Sequence, residues 1–261
     1  GLLGGLVGEI VTGITSSLPI LGNLTLGKVI EDLLTLKQNS PDLFASGAFA
    51  GRVIGDVSIE NCKVTNADVS NAKGMTGGFI GYSEGETTYD ALSGIVGDVV
   101  TLLSNLLNII PGVGLGDLIT VLLENDVPLG RLIPKGYYNP VISGCSVSLS
   151  DGMIGKDTTD YNGGFIGVQI GTETTQCAVE GLKSVSAKNY AGGFAGVERD
   201  AQIKGLLTDL GVELVNFDIS SKQTECEVSG TDISIKASEQ YAGGMNGVMA
   251  NSKSTGAQIS S

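Results

Sequence analysis

The stretch "NYAGGFAGVERDAQIKG", residues 189–205, has a close copy in "QYAGGMNGVMANSKSTG", residues 240–256. In each copy a tyrosine and a small residue precede two glycines, an apolar residue, one further residue and a third glycine. We call the last five residues of this pattern the glycine phrase. A phosphate loop, a flexible linker and the corner of a structural repeat are all compatible with one copy, so the spacing of the other copies decides among them.

The glycine phrase occurs six times along the 261 residues. The copies are GGLVG at Gly4, GAFAG at Gly47, GGFIG at Gly77, GGFIG at Gly163, GGFAG at Gly192 and GGMNG at Gly243. Successive copies start 43, 30, 86, 29 and 51 residues apart. The two shortest steps predict a repeat unit of 29–30 residues, and the longer steps indicate units that carry insertions. Six nucleotide sites in one chain are implausible, and "GGFAGVERD" at 192–200 contains no Lys-Ser or Lys-Thr pair, which excludes the phosphate loop.

The four cysteines support the same repeat, since one falls in each unit. Cys62, Cys145, Cys177 and Cys226 precede the next glycine phrase by 15, 18, 15 and 17 residues. Each begins a segment of alternating apolar and polar residues, such as "CEVSGTDISIKA" at 226–237, which is typical of half-buried strands. At matching positions the cysteines should stack on one another. Buried free thiols that act as small apolar residues are favoured, with disulfides between neighbouring coils and a metal thiolate as alternatives.

A strand, a bend, a second strand and a Gly-Gly corner make one coil of a parallel β-solenoid. We therefore predict an all-β repeat fold, with residues 1–261 as a single solenoid domain and about 4.8 Å between stacked strands. The glycines should occupy tight corners or positive-φ positions, where a Cβ atom would clash with the coil above. The apolar residue of each phrase should point inward and stack on its equivalents, and Tyr161, Tyr190 and Tyr241 should form a second, shorter ladder. The predicted repeat positions are Gly77, Gly78, Phe79, Gly163, Gly164, Phe165, Gly192, Gly193, Phe194, Gly243, Gly244 and Met245.

Apolar residues at helical spacing predict α-helical insertions at about 15–40, 90–126 and 203–217. Inserts at one phase of a solenoid emerge on one side, so we expect these helices to pack against one face. Residues 99–116 are uncharged, but a Pro-Gly break and several polar residues interrupt them. A buried helical hairpin is therefore favoured over a membrane span, with a membrane-active amphipathic hairpin as the alternative.

The composition limits the functions that the chain can perform. Forty glycines, 5% aromatic residues and no tryptophan argue for a repeat array rather than an ordinary globular enzyme. The net charge of −13 disfavours nucleic acid as a partner. A solvated surface explains the acidity most simply, while calcium sites and a high-salt habitat are alternatives. No cofactor is expected, and calcium is the single candidate ion.

Carboxylates are the only plausible catalytic groups. The chain has no histidine and no CxxC pair, which excludes Ser-His-Asp triads, imidazole zinc sites and thioredoxin-type chemistry. The candidates are Asp157 and Asp160 in "GKDTTDY", and Glu198 and Asp200 in "VERDAQ". Because such residues are also common in polar turns, we interpret all four as exposed turn acids and predict no catalytic residue.

Threonine pairs suggest a second kind of surface. Thr87 and Thr88 in "GETTYD" and Thr174 and Thr175 in "GTETTQ" lie at the same phase of successive units by sequence alignment. A flat threonine array could bind ice or a glycan, although the β-propensity of threonine explains these residues equally well.

The phrase Y-x-GG-F-x-G, followed by an N-C-x-V element as in "IENCKVTNADVS" at 59–70, resembles the GLUG-type repeats of large bacterial surface proteins, many of them Gram-positive adhesins. The resemblance extends from about Gly47 to Gly256, and the leucine-rich insertions depart from it. It implies a secreted protein, anchored to the cell wall or membrane, that uses this region as a stalk or as a ligand-binding face.

From these observations we expect an extracellular adhesion module or rigid stalk that performs no chemical step. Its expected partners are a glycan or protein ligand on a surface, or flanking domains of the same protein, with no nucleic acid and no membrane contact. The opening "GLLGGLVGEI" lacks Met and a basic segment, which predicts a fragment of a larger protein. A carbohydrate-active β-helix and a self-assembling filament or surface-layer subunit are the alternative functions.

Overall fold

The structure, a computed structural model, describes residues 44–70, 72–89, 134–202 and 217–261. Nearly all of these residues belong to one compact unit, which consists of Asp42–Thr87, Tyr137–Gln202 and Phe217–Ser261. The prediction of a single domain over residues 1–261 extends beyond the described ranges and stays a prediction.

The described residues form strands, turns and bends, and no helix occurs among them. The predicted helical insertions at about 15–40, 90–126 and 203–217 lie outside the described residues, apart from Phe217, which lies in no helix. The same holds for the hairpin at 99–116 and the first glycine phrase at Gly4. The helical insertions, the hairpin and the role of the first glycine phrase therefore stay predictions.

Twenty of the strands group into five rungs of four strands each. Rung one consists of β1 (Ala45–Gly47), β2 (Ala50–Ile54), β3 (Ser58–Glu60) and β4 (Lys63–Val69). Rung two consists of β5 (Met75–Gly77) and β6 (Ile80–Glu84), then, after β7 (Glu86–Tyr89) and β8 (Pro134–Tyr138), of β9 (Val141–Ser143) and β10 (Ser146–Ile154). Rung three consists of β11 (Tyr161–Gly163), β12 (Ile166–Ile170), β13 (Glu173–Thr175) and β14 (Ala178–Ala187). Rung four consists of β15 (Tyr190–Gly192), β16 (Ala195–Arg199), β17 (Lys222–Thr224) and β18 (Glu227–Ala237). Rung five consists of β19 (Tyr241–Gly243), β20 (Asn246–Ala250), β21 (Lys253–Thr255) and β22 (Gln258–Ser260).

Strands at the same position in successive rungs pair with one another in four five-stranded sheets. Sheet I contains the first strand of each rung, sheet II the second, sheet III the third and sheet IV the fourth. All of these pairings are parallel, and the rungs follow one another in chain order. Strands β7 and β8 form a separate two-stranded sheet. The prediction of an all-β fold of stacked parallel strands is confirmed, and the arrangement is compatible with a β-solenoid.

The glycine phrases align in the pairing of the strands. Gly163 pairs with Gly77 on one side and with Gly192 on the other, and Gly192 pairs with Gly243. The tyrosines before the phrases align in the same way, since Tyr190 pairs with Tyr161 and with Tyr241. Their rings stack at centroid distances of 5.2 Å and 6.0 Å. The sequence repeat is therefore also the repeat of the backbone ladder.

A column of phenylalanine rings runs through the interior beside these glycines. Phe79, Phe165 and Phe194 are fully buried, and their rings stack at centroid distances of 4.8 Å and 4.9 Å. Phe49 extends the column into rung one, with its ring 4.6 Å from that of Phe79, and Met245 is half-buried in rung five. These distances match the usual 4.7–4.9 Å between neighbouring strands, so each ring lies directly above its equivalent. Burial of so many aromatic rings provides much of the stabilising free energy.

Close approach of the backbone, rather than an unusual φ, explains the glycines of the phrase. A Cβ atom on Gly78 would meet the carbonyl oxygen of Gly164 in the next rung, and one on Gly193 would meet the carbonyl oxygen of Gly244. Neither residue has a positive φ. Of the two reasons predicted for these glycines, the clash with the neighbouring rung therefore applies and the positive φ does not.

Positive φ angles occur instead at the corner between sheets III and IV. The residue there has a left-handed backbone in every rung, with φ between 50° and 66°: Asn61, Gly144, Gln176, Glu225 and Gly256. A cysteine follows each of the first four of these residues, and Ala257 follows the fifth. The sharp turn at this corner therefore sets the position of the cysteine column.

Candidate functional site

The interior changes character along the stack of rungs. On sheet II one inward position is occupied in successive rungs by Val53, Ser83, Gln169, Glu198 and Met249, which pair in register. On sheet III the facing position is occupied by Ile59, Ile142, Thr174, Gln223 and Ser254. The first two rungs therefore have mostly apolar side chains at these positions, rungs three and four have polar ones, and rung five has one of each.

Buried hydroxyl and amide groups connect the middle rungs. The hydroxyls of Ser83 and Thr172 lie 2.8 Å apart, and Gln169 Nε2 donates to the carbonyl of Thr172 at 3.0 Å. The Ser221 hydroxyl accepts the Thr172 amide at 3.2 Å and donates to the Arg199 carbonyl at 2.6 Å. All of these side chains except Arg199 are buried, and their hydrogen bonds offset the cost of removing them from water.

Glu198 is the one carboxyl group that is fully buried among the described residues. Its Oε2 accepts a hydrogen bond from Asn246 Nδ2 at 3.0 Å, whereas its Oε1 has no hydrogen-bond partner. Asn246 Nδ2 also donates to Gln223 Oε1 at 3.1 Å, and Ser254 Oγ donates to the same oxygen at 3.0 Å. We call Glu198, Gln223, Asn246, Ser252 and Ser254 the Glu198 cluster.

Burial dominates the protonation of Glu198. It raises the pKa of the carboxyl group to about 7, because the charged form loses its hydration when it is buried. The Ser252 hydroxyl and the Asn246 amide lower the pKa by a smaller amount. Within the described part of the chain, no lysine or arginine forms an ion pair with Glu198.

The structure separates the four acids that the sequence analysis considered together. Asp157 and Asp160 are exposed in the loop between β10 and β11, where Asp160 accepts a hydrogen bond from Asn189 at 2.7 Å. Asp200 is half-buried just after β16 and accepts from Asn251 at 3.3 Å. The interpretation of Glu198 as an exposed turn acid is wrong, because β16 continues through Arg199 and directs Glu198 inward. A pair of carboxylates facing a common groove, which glycoside hydrolysis requires, is not formed by these four residues.

The threonine alignment predicted from sequence is also wrong. Thr87 and Thr88 lie in β7, which pairs with β8, whereas Thr174 and Thr175 lie in β13 of sheet III. The insertion after the third glycine phrase, at Gly77, makes Thr87 and Thr88 look equivalent in sequence to Thr174 and Thr175. In the structure Thr175 pairs instead with Thr224, which pairs with Thr255.

The cysteines form a column of free thiols. Cys145, Cys177 and Cys226 are buried, and Cys62 is half-buried in rung one. Each thiol donates to the carbonyl two residues before it, at Glu60, Ser143, Thr175 and Thr224, over 3.3–3.5 Å. Burial raises the pKa of the Cys145 thiol. These contacts describe protonated thiols that act as small, weakly polar core residues.

Sequence reasoning missed the buried amides Gln169 and Gln223 and the half-buried amide Asn246. Gln169 could have been recognised from the sequence, because it is the second residue after a glycine phrase. The residues at this position form one column on sheet II. Among the described residues, no group of three or more histidine, cysteine, aspartate or glutamate side chains is arranged to hold a metal ion. The described residues also include no helix that is long and apolar enough to cross a membrane.

The Glu198 cluster is therefore a polar site with one buried carboxyl group and four amide or hydroxyl side chains, and in the described part of the chain no cation pairs with that carboxyl group. Such a site can hold or release a proton, but it offers no open cleft for a substrate. Comparison with family models, curated proteins and solved structures found no match for the chain.

Proposed function

We propose that this chain is a β-solenoid module of a GLUG-type bacterial cell-surface protein, and that it acts in adhesion, as a rigid stalk, or as both. The proposal includes coils of 29–30 residues, as in the pairing of Tyr161 with Tyr190 and of Ala45 with Met75. The units with longer spacing between glycine phrases would contain the helical insertions. The module would lie outside the cell and perform no chemical step.

The observation that carries this proposal is the unbroken stacking of equivalent side chains. Three consecutive phenylalanine contacts at 4.6–4.9 Å run beside backbone ladders that continue through all five rungs. Separation of two rungs would break ladders in four sheets and the aromatic column together. A stack of this kind resists extension and proteolysis, which suits a protein that holds another domain away from a cell.

The adhesive and the stalk roles differ in whether the module itself retains a ligand. The test is a binding screen of the chain on arrays of glycans and matrix proteins, with calcium and with a chelator. A saturable signal that is lost on deletion of residues 90–126 supports adhesion through the insertion. No signal, together with high resistance to extension under force, supports a stalk, whereas easy extension without binding contradicts both roles.

Self-assembly is a second candidate function, because the first and last rungs each have one open edge among the described strands. Large apolar side chains are exposed at these ends: Phe44, Phe49, Tyr241, Met249 and Ile259. Open strand edges can pair with another copy of the chain. Sedimentation at increasing concentration tests this function, since a filament subunit must grow in size and an isolated stalk must not.

A further inference from the structure

The corner between sheets III and IV brings Cys62 and Cys145 together in rungs one and two. The residues that follow them, Lys63 and Ser146, pair in register, and the Ser146 amide donates to the Cys62 carbonyl at 3.0 Å. A left-handed residue precedes each cysteine, so the backbone of the two corners is alike. Neighbouring strands lie about 4.8 Å apart, which is within the range of Cα separations that a disulfide spans.

The Cys145 sulfur lies between the two rungs. Its thiol contacts the carbonyl of Ser143 in its own rung at 3.3 Å and that of Ile59 in rung one at 3.5 Å. The sulfur also accepts a hydrogen bond from the Cys62 amide at 3.4 Å. Two contacts with rung one therefore hold the Cys145 sulfur beside Cys62.

Cys62 is the accessible member of the cysteine column. Its side chain is half-buried, whereas Cys145, Cys177 and Cys226 are at most 1% exposed. A small oxidant in solution therefore meets the Cys62 thiol first. The next thiol along the column is that of Cys145, which already contacts Cys62.

We propose that Cys62 and Cys145 are a cross-linking site, at which a small disulfide such as oxidised glutathione converts the two thiols into a disulfide between rungs one and two. The Cys62 thiolate attacks one sulfur of the oxidant, which forms a mixed disulfide and releases one glutathione thiolate. The Cys145 thiolate then attacks the Cys62 sulfur and releases the second glutathione thiolate. The two cysteines lose two electrons and two protons, and the oxidant is reduced to two thiols.

The disulfide joins residues that are 83 positions apart in the sequence, with β4–β9 between them. Because it restricts the unfolded chain, the equilibrium constant for unfolding should fall by about 30-fold or more. Burial raises the pKa of the Cys145 thiol, so the second step should become faster as the pH rises. This inference goes beyond the stalk and adhesive roles and applies equally to both.

The test is incubation of the native chain with oxidised glutathione, followed by alkylation of the remaining thiols in acidic denaturant and peptide mapping by mass spectrometry without reduction. We expect one cross-linked pair of peptides, which contain Cys62 and Cys145, and alkylated Cys177 and Cys226. In Cys145→Ala, glutathione should stay attached to Cys62 as a mixed disulfide. Cys226→Ala, a matched change at the other end of the column, should still form the cross-link.

Three results would overturn the proposal: a disulfide between Cys145 and Cys177, glutathione that stays attached to Cys62 in the unchanged chain, or four alkylated cysteines after prolonged incubation. If Cys145→Ala does not fold, the peptide map of the unchanged chain decides alone. A disulfide between Cys62 and Cys145, formed without a change in the circular dichroism spectrum, supports the proposal, and any other thiol product contradicts it.

Discussion

The first two rungs and the last two rungs share one backbone arrangement but differ in the side chains at the facing interior positions of sheets II and III. Ile59 and Ile142 occupy in rungs one and two the position that Gln223 and Ser254 occupy in rungs four and five. Rungs one and two, the apolar half of the stack, gain stability from the apolar area that they bury at these positions. Rungs four and five, the polar half, must satisfy each buried donor and acceptor there, and Glu198 Oε1 and Gln223 Nε2 lack partners. The backbone ladder and glycine phrase therefore fix the fold, while the interior sets how firmly each rung is held.

The largest expected effect comes from the phenylalanine column, which passes through both halves. Phe165→Ala should reduce the free energy of unfolding by about 4 kcal/mol, because it leaves a cavity between two stacked rings. Urea unfolding measured by circular dichroism gives this value. Met245→Ala is the matched change at the half-buried end of the column, and its effect should be less than half as large. Equal losses would show that the column does not stabilise the fold in the way its burial indicates.

The polar half should differ from the apolar half most clearly in how its stability depends on pH, because the buried Glu198 lies in the polar half. The stability difference between the unchanged chain and Glu198→Gln should depend on pH. Relative to Glu198→Gln, the unchanged chain should lose about 3 kcal/mol of unfolding free energy when the pH rises from 4.5 to 8. The sign follows from the raised pKa, since the folded state retains the Glu198 proton that the unfolded state releases above about 4.5. Urea unfolding of both proteins across this range provides the measurement. A difference that stays constant with pH would contradict the buried position of Glu198.

Exchange of side chains between the two halves tests whether their interiors are truly distinct. Ile142→Thr should cost about 2 kcal/mol, because it places a hydroxyl in an apolar environment. The reverse change, Thr174→Ile, should cost less than 1 kcal/mol, since the added apolar area offsets the loss of a hydrogen bond of 3.3 Å to the Lys222 carbonyl. Thermal unfolding of the two variants measures the difference. The opposite order would indicate that the polar network is the better stabiliser.

The smallest expected effect concerns the cysteine column. Cys177→Ala should cost about 1 kcal/mol, since alanine already occupies the equivalent corner of rung five at Ala257. Cys62→Ala should have almost no effect, because that residue is half-buried in rung one. A thiol reagent should correspondingly modify Cys62 in the native protein and Cys177 only after unfolding. Rapid modification of Cys177 under native conditions would contradict its burial.

The sequence allowed the repeat to be predicted because glycine phrases and cysteines mark backbone positions that few other residues tolerate. The inward phenylalanines followed from their place in the phrase. Glu198 could not be predicted as buried, since "VERD" combines three charged residues that ordinarily lie in a solvated turn. Only the inward alternation of β16 distinguishes Glu198 from Arg199. Thr87 and Thr88 were misplaced because a long insertion obscures which strand follows the phrase.

The fold depends on the stacking of equivalent residues of successive units directly above one another. The most direct measurement is NMR of the chain with selectively labelled phenylalanine rings, assigned by single substitutions. The stack predicts ring-to-ring Overhauser contacts between Phe79 and Phe165 and between Phe165 and Phe194, and none between Phe79 and Phe194. Absence of either neighbouring contact, or a contact between Phe79 and Phe194, would contradict the stacked arrangement.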